Sequence, residues 1–132
     1  MVGLDTNVLV RYIMQDDPAQ SAKATALIES LNAESPGYVA LVAVVELVWV
    51  LSSSYRLQRS QVAAALDGLL RSQELVIDRA DIVAQALRRY AKAGGADFAD
   101  GLIERLGAAA GCSQTWSFDL AAVKSVGMTL LA

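Results

Sequence analysis

Short apolar runs alternate with helical patterns along this chain, and that alternation constrains its fold most strongly. Residues 2–4, 38–41 and 75–77 read as short strands, 113–118 as a further strand carrying Trp116 and Phe118, and 128–131 as a last edge strand. Helical patterns fill the gaps, at 7–14, 19–31, 42–52, 61–71, 80–92 and 98–110. Asp17-Pro18 starts the second of these, with Asp at the N-cap and Pro at the first helical position. Ser60 is the expected cap of the fourth. The fifth is amphipathic, with Ile82, Val83, Ala86, Leu87 and Tyr90 on one face, and Ala93-Gly94-Gly95 ends it. Asn32 to Gly37 reads as a turn. Strands joined by helices predict an α/β fold around a parallel sheet. With 132 residues and neither repeat nor linker, one domain covering 1–132 is expected. In open sheets of this kind, ligands bind beyond the carboxyl ends of the strands. Asp5 and Asp119 stand at two such ends.

Composition narrows the chemistry. The chain has no histidine and a single cysteine, Cys112. Ser-His-Asp and Cys-His catalysis are thereby closed, as are ordinary zinc sites and an internal disulfide. One cysteine suits a reducing compartment, and no secretory signal or membrane span is read, so a cytoplasmic protein is expected. Carboxylates, hydroxyls, Lys/Arg and a hard cation are the tools left. The net charge of -3 lacks the basic footprint of a passive nucleic-acid binder. It is compatible with an acidic site whose metal ion meets phosphates, because the metal supplies the positive charge.

The acids divide by context. Asp5, in "VGLDTNVLV", either belongs to the cap of the following helix, with Thr6 or Asn7 at the N-cap, or serves a site. Glu46 is the one polar residue in "LVAVVELVWVL", with Val42, Ala43, Trp49 and Val50 at helical spacing. It is not expected to face open water alone: it is buried and paired with one of eleven Lys/Arg, snorkels to a rim, or has a metal or catalytic role, and the last is favoured. Asp97, Asp100 and Glu104 share a helical face opposite Phe98, Leu102, Leu106 and Ala109. Asp97 fits an N-cap better than chemistry, whereas Asp100 suits either. Three such acids without a basic partner repel each other, which a nearby cation would relieve. Asp119 could cap a turn or helix before "LAAVK". Asp5, Glu46, Asp100 and Asp119, gathered in one cleft, would offer hard oxygen ligands for Mg²⁺ or Mn²⁺.

In order and spacing, "LDTNVLV" at 4–10, "VVELVWVL" at 44–51, "ADFADGLI" at 96–103 and "TWSFD" at 115–119 resemble PIN-domain ribonucleases. The likeness is nearest to the VapC-type toxins of bacterial toxin–antitoxin pairs. The resemblance implies a three-layer α/β/α fold with a parallel sheet of four to five strands. It implies Mg²⁺- or Mn²⁺-dependent endoribonuclease action, in which activated water leaves a 5′-phosphate and a 3′-hydroxyl. Asp5, Glu46, Asp100 and Asp119 match the acidic metal-binding and catalytic set, Asp5 and Asp100 holding the ion most directly. Asp97 is a further candidate ligand, and Thr6, Asn7 and Ser117 match supporting polar positions. The partners implied are RNA, a second copy of the chain and a small antitoxin that reaches into the cleft.

Readings from other classes fit less well. A haloacid-dehalogenase-like phosphatase needs a second aspartate where Asn7 stands, and a receiver-like phosphoacceptor needs an acidic pair after the first strand. A housekeeping RNA-processing PIN nuclease and a non-catalytic α/β interaction module remain as alternatives.

Overall fold

The computed structural model describes residues 1–92 and 94–132. The chain forms two compact units, Met1–Ala80 and Asp81–Ala132.

In the first unit β1 (Val2–Gly3), β2 (Gly37–Val39) and β3 (Leu75–Ile77) form a parallel sheet with β2 in the middle. Val2 pairs with Gly37, and Gly37 in turn with Leu75. The glycine at this shared position is a packing requirement: a Cβ there would lie 2.8 Å from Leu4 Cδ1 and 2.9 Å from Leu31 Cδ1. Helices α1 (Thr6–Met14), α2 (Pro18–Glu29), α3 (Leu41–Trp49) and α4 (Arg59–Arg71) complete the unit. Asp17 caps α2 by accepting from the Gln20 amide at 3.0 Å, with Pro18 in the first turn as the sequence predicts. Leu9, Val39, Val44, Leu47, Leu51, Val62 and Leu66 are fully buried.

Two local expectations change. α4 starts at Arg59, because the Gln58 amide donates to Gln61 Oε1 at 2.8 Å; Ser60 lies inside the helix and is not its cap. After Trp49, α3 widens into a π-helical turn, Val50–Ser54, closed by the Tyr55 amide donating to the Val50 carbonyl at 3.2 Å.

In the second unit α5 (Ala80–Ala91) and α6 (Phe98–Ala109) precede β4 (Trp116–Ser117), α7 (Leu120–Val126) and β5 (Thr129–Leu130). The five apolar residues read on one face of α5 are all buried. Tyr90 meets Phe98 edge to face, with ring centroids 6.1 Å apart. Gly101 brings α6 close to α5, its Cβ position lying 3.5 Å from Ala86 Cβ. Ala96, Ala122, Val126 and Met128 pack together around α7. Gly94 and Gly127 adopt φ of +68° and +78°, the second closing α7. Ala93, part of the expected α5 stop, lies outside the described residues.

The α/β expectation with parallel strands holds. Among the described residues, however, the ladders fall into a sheet of three and a separate parallel pair, β4–β5, in place of one ladder of four to five. The expected strand at 113–118 shrinks to Trp116–Ser117, since its partner β5 is itself only Thr129–Leu130; before it, the Thr115 carbonyl still accepts from the Thr129 amide at 2.7 Å. Among the described residues no helix is long and apolar enough to cross a membrane.

Candidate metal centre

In the first unit Asp5 and Glu46 converge on one residue. Asp5 is itself the N-cap of α1, accepting from the Thr6 amide at 2.7 Å; neither Thr6 nor Asn7 takes that position. Thr6 is buried, and its hydroxyl donates to Glu46 Oε1. The two carboxylates are thus tied to the backbone and the side chain of a single threonine. Both face a concavity of about 470 Å³ shared with Asn7, Arg11, Ser54 and Tyr55.

Glu46 does not sit as the sequence implied. It is exposed, and the apolar residues at helical spacing on its own strip, Val42 and Trp49, are exposed with it at 76% and 62%. The buried side of α3 is formed by Ala43, Val44, Leu47 and Val48. An apolar neighbourhood in sequence therefore marks an apolar surface here, with Glu46 at its centre.

In the second unit Asp97 caps α6, accepting from the Asp100 amide at 3.2 Å, as the sequence suggests. Asp100 is half-buried in the first turn of that helix. Burial, and then the charges of Asp97 and Asp119, raise its pKa above the ordinary carboxyl value. Asp119 caps α7 through the Ala121 amide at 2.8 Å. Its own amide donates to Ser117 Oγ at 2.9 Å, so the serine fixes the entry into that cap.

Glu104 leaves this group. It bonds Arg105 at 2.8 Å and Arg89 at 3.1 Å, and these hydrogen bonds, Arg105 first, hold its carboxyl below the usual range. The run of unpartnered acids on α6 is therefore shorter than the sequence suggested, because basic partners come from the next residue and from α5.

Asp5, Glu46, Asp97, Asp100 and Asp119 form no ion pair with Lys or Arg among the described residues. Among those residues, no three His, Cys, Asp or Glu side chains stand together as a ready metal cage. The donor chemistry nonetheless fits a hard divalent cation: every candidate ligand is a carboxylate oxygen. Asp100 additionally carries a charge that its acidic neighbours oppose, which a cation would relieve.

Arg11 and Tyr55 are cleft residues that the sequence did not single out as a pair. Arg11 Nη1 donates to Tyr55 Oη at 3.0 Å, and Tyr55 donates to Asp16 Oδ2 at 2.6 Å. The tyrosine bond, reinforced by Arg11, keeps the Asp16 carboxyl below its ordinary pKa. Arg11 follows Asn7 by one helical turn, a spacing visible in the sequence. Tyr55 reaches it only through the π-helical turn, for which the sequence offers no signal.

The PIN-domain family model matches residues 2–123, which takes in nearly all of the first unit, most of the second and every candidate acid. No curated protein and no solved structure matches the chain significantly. A match over nearly the whole length fixes the class: the chain belongs to the PIN-domain family. Proteins of that family are generally metal-dependent nucleases acting on nucleic acid.

Proposed function

We propose that this protein is a Mg²⁺- or Mn²⁺-dependent endoribonuclease, and that it is the toxin of a toxin–antitoxin pair. The observation that carries the catalytic reading is the state of Asp100, a half-buried carboxylate with two acidic neighbours and no basic partner among the described residues. Such a group is costly without a cation and useful with one. In this reading Asp5 and Asp100 hold the ion most directly, with Glu46 and Asp119 completing the set and Asp97 as a further candidate.

When bound, the ion polarises a phosphoryl oxygen and makes water a competent nucleophile at neutral pH. The chain's own residues do the rest. Thr6 holds Glu46 through its hydroxyl and supports the Asp5 cap through its amide. Ser117 sets the backbone from which Asp119 projects. Asn7 offers the cleft a neutral donor, and Arg11 a cation already anchored by Tyr55 and Asp16. Attack on the phosphodiester would leave a 5′-phosphate and a 3′-hydroxyl. Exposed Val42 and Trp49 flank Glu46 and give an antitoxin apolar surface beside the cleft. A homodimer in a bacterial cytoplasm belongs to the same reading.

The test is cleavage of a mixed tRNA and rRNA panel with Mg²⁺ or Mn²⁺, with EDTA as the control. Wild type should cut, while Asp5→Asn and Asp100→Asn should lose cutting and keep their fold. Equal cutting by all three would sink the site. Cutting without growth arrest on expression would favour an RNA-processing nuclease over a toxin.

A further inference from the structure

The second unit carries a basic concavity of about 360 Å³, lined by Gln85, Arg88, Arg89 and Lys92 of α5 and its end, and by Arg105 of α6. Four of the chain's eleven Lys/Arg meet there, in a molecule whose net charge is -3. Among the described residues one carboxylate, Glu104, serves this cluster, bonding Arg89 and Arg105 and orienting both guanidiniums. Arg88 and Lys92 form no ion pair among the described residues and stand exposed.

Cations near the end of α5 are favoured by the helix dipole, and that alone would account for Arg88 and Arg89. It does not account for Arg105, which comes from another helix to the same hollow. Nor does it favour Arg88 and Lys92 one turn apart, where like charges oppose each other. Every lining side chain ends in a charged or amide group, and no aromatic or aliphatic residue offers the anchor that a protein partner's central contacts use. Forked guanidiniums with a neighbouring ammonium match phosphate oxygens.

We propose that this hollow binds the phosphate backbone of RNA as an anchoring site outside the acidic centre. The proposal rests on the nuclease reading for its ligand, but it concerns different residues and is tested without catalysis. Binding of a fluorescent single-stranded RNA to the full chain is measured in EDTA across a salt series, for wild type and Arg88→Ala/Lys92→Ala. The double variant should bind about tenfold more weakly, and its salt slope should fall by about 1.4, the value for two lost contacts to a single strand. Hydrolysis of bis(p-nitrophenyl) phosphate with Mn²⁺ should be unchanged, since neither residue belongs to the acidic set. Unaltered RNA affinity and slope would overturn the anchoring site while leaving the nuclease intact. Weakened RNA binding in a protein that cleaves no phosphodiester would overturn the nuclease and leave the site. Loss of binding to poly-glutamate with RNA binding retained would assign the hollow to an acidic polypeptide instead and overturn the proposal.

Discussion

Thr6 is the residue on which the first half of the candidate centre depends. Its amide and hydroxyl serve two carboxylates from different elements, so its loss should affect chemistry more than folding. Thr6→Val keeps shape and amide but removes the hydroxyl. It should cost about 1 kcal/mol of stability, lower Mn²⁺-dependent cleavage by about tenfold and be rescued by Thr6→Ser. Urea melts and cleavage rates on the same preparations check this. Asp100 acts in the opposite sense. Its folded-state pKa is raised, so the folded protein holds that proton more tightly than the unfolded chain does. The stability this gives is present at low pH and is lost as pH rises through the unfolded and then the folded value. Asp100→Asn should therefore raise the metal-free melting temperature at neutral pH, and the difference should vanish below about pH 4. A melting temperature unchanged at neutral pH would mean that Asp100 carries no strain for a cation to relieve.

Among the elements, α6 separates a structural acid from the acids of the centre. Glu104 has its pKa lowered by Arg105 and then Arg89, so its contribution is full above the ordinary carboxyl range and fades as pH falls through the depressed value. Glu104→Gln should cost about 1 kcal/mol at neutral pH, because its arginine partners are partly solvated. The gap to wild type should close in acid, as thermal melts across pH will show. Two helix starts were legible in the sequence, while the caps read at Ser60 and at Thr6 or Asn7 fell one or two residues from those that form, Gln58 and Asp5. Asp17-Pro18 and Asp97 carry their reason locally, in one side chain and the amide three residues on. Glu46 was less legible. Sequence spacing named its neighbours but not whether their strip faced a core or solvent, which is decided by the partners of α3. The strand ladders were legible in direction and not in grouping, because strands of two or three residues say little about which edge they join. The PIN resemblance identified the family because its motifs run through the whole chain in order, a pattern no single motif supplies.

At the scale of the molecule, the family match over residues 2–123 reaches into both compact units and includes Asp5 and Asp100. Saturating Mn²⁺ at about a hundred times its Kd should add about 2.7 kcal/mol to unfolding. Asp5→Asn and Asp100→Asn should each remove most of that gain, in calorimetry with and without EDTA. If Asp100→Asn alone removed it, the ion would belong to the second unit and Asp5 to the α1 cap only. The π-helical turn at Val50–Ser54 carries a consequence for chain length. A turn of this width holds one residue more than a regular helix needs, and that surplus brings Tyr55 round to Arg11 and Asp16. Deleting Ser53 would let the helix run on regularly while rotating the phenol away from both. A shortened protein of this kind would trade a tuned cleft wall for a sturdier rod, gaining order where it lost reach.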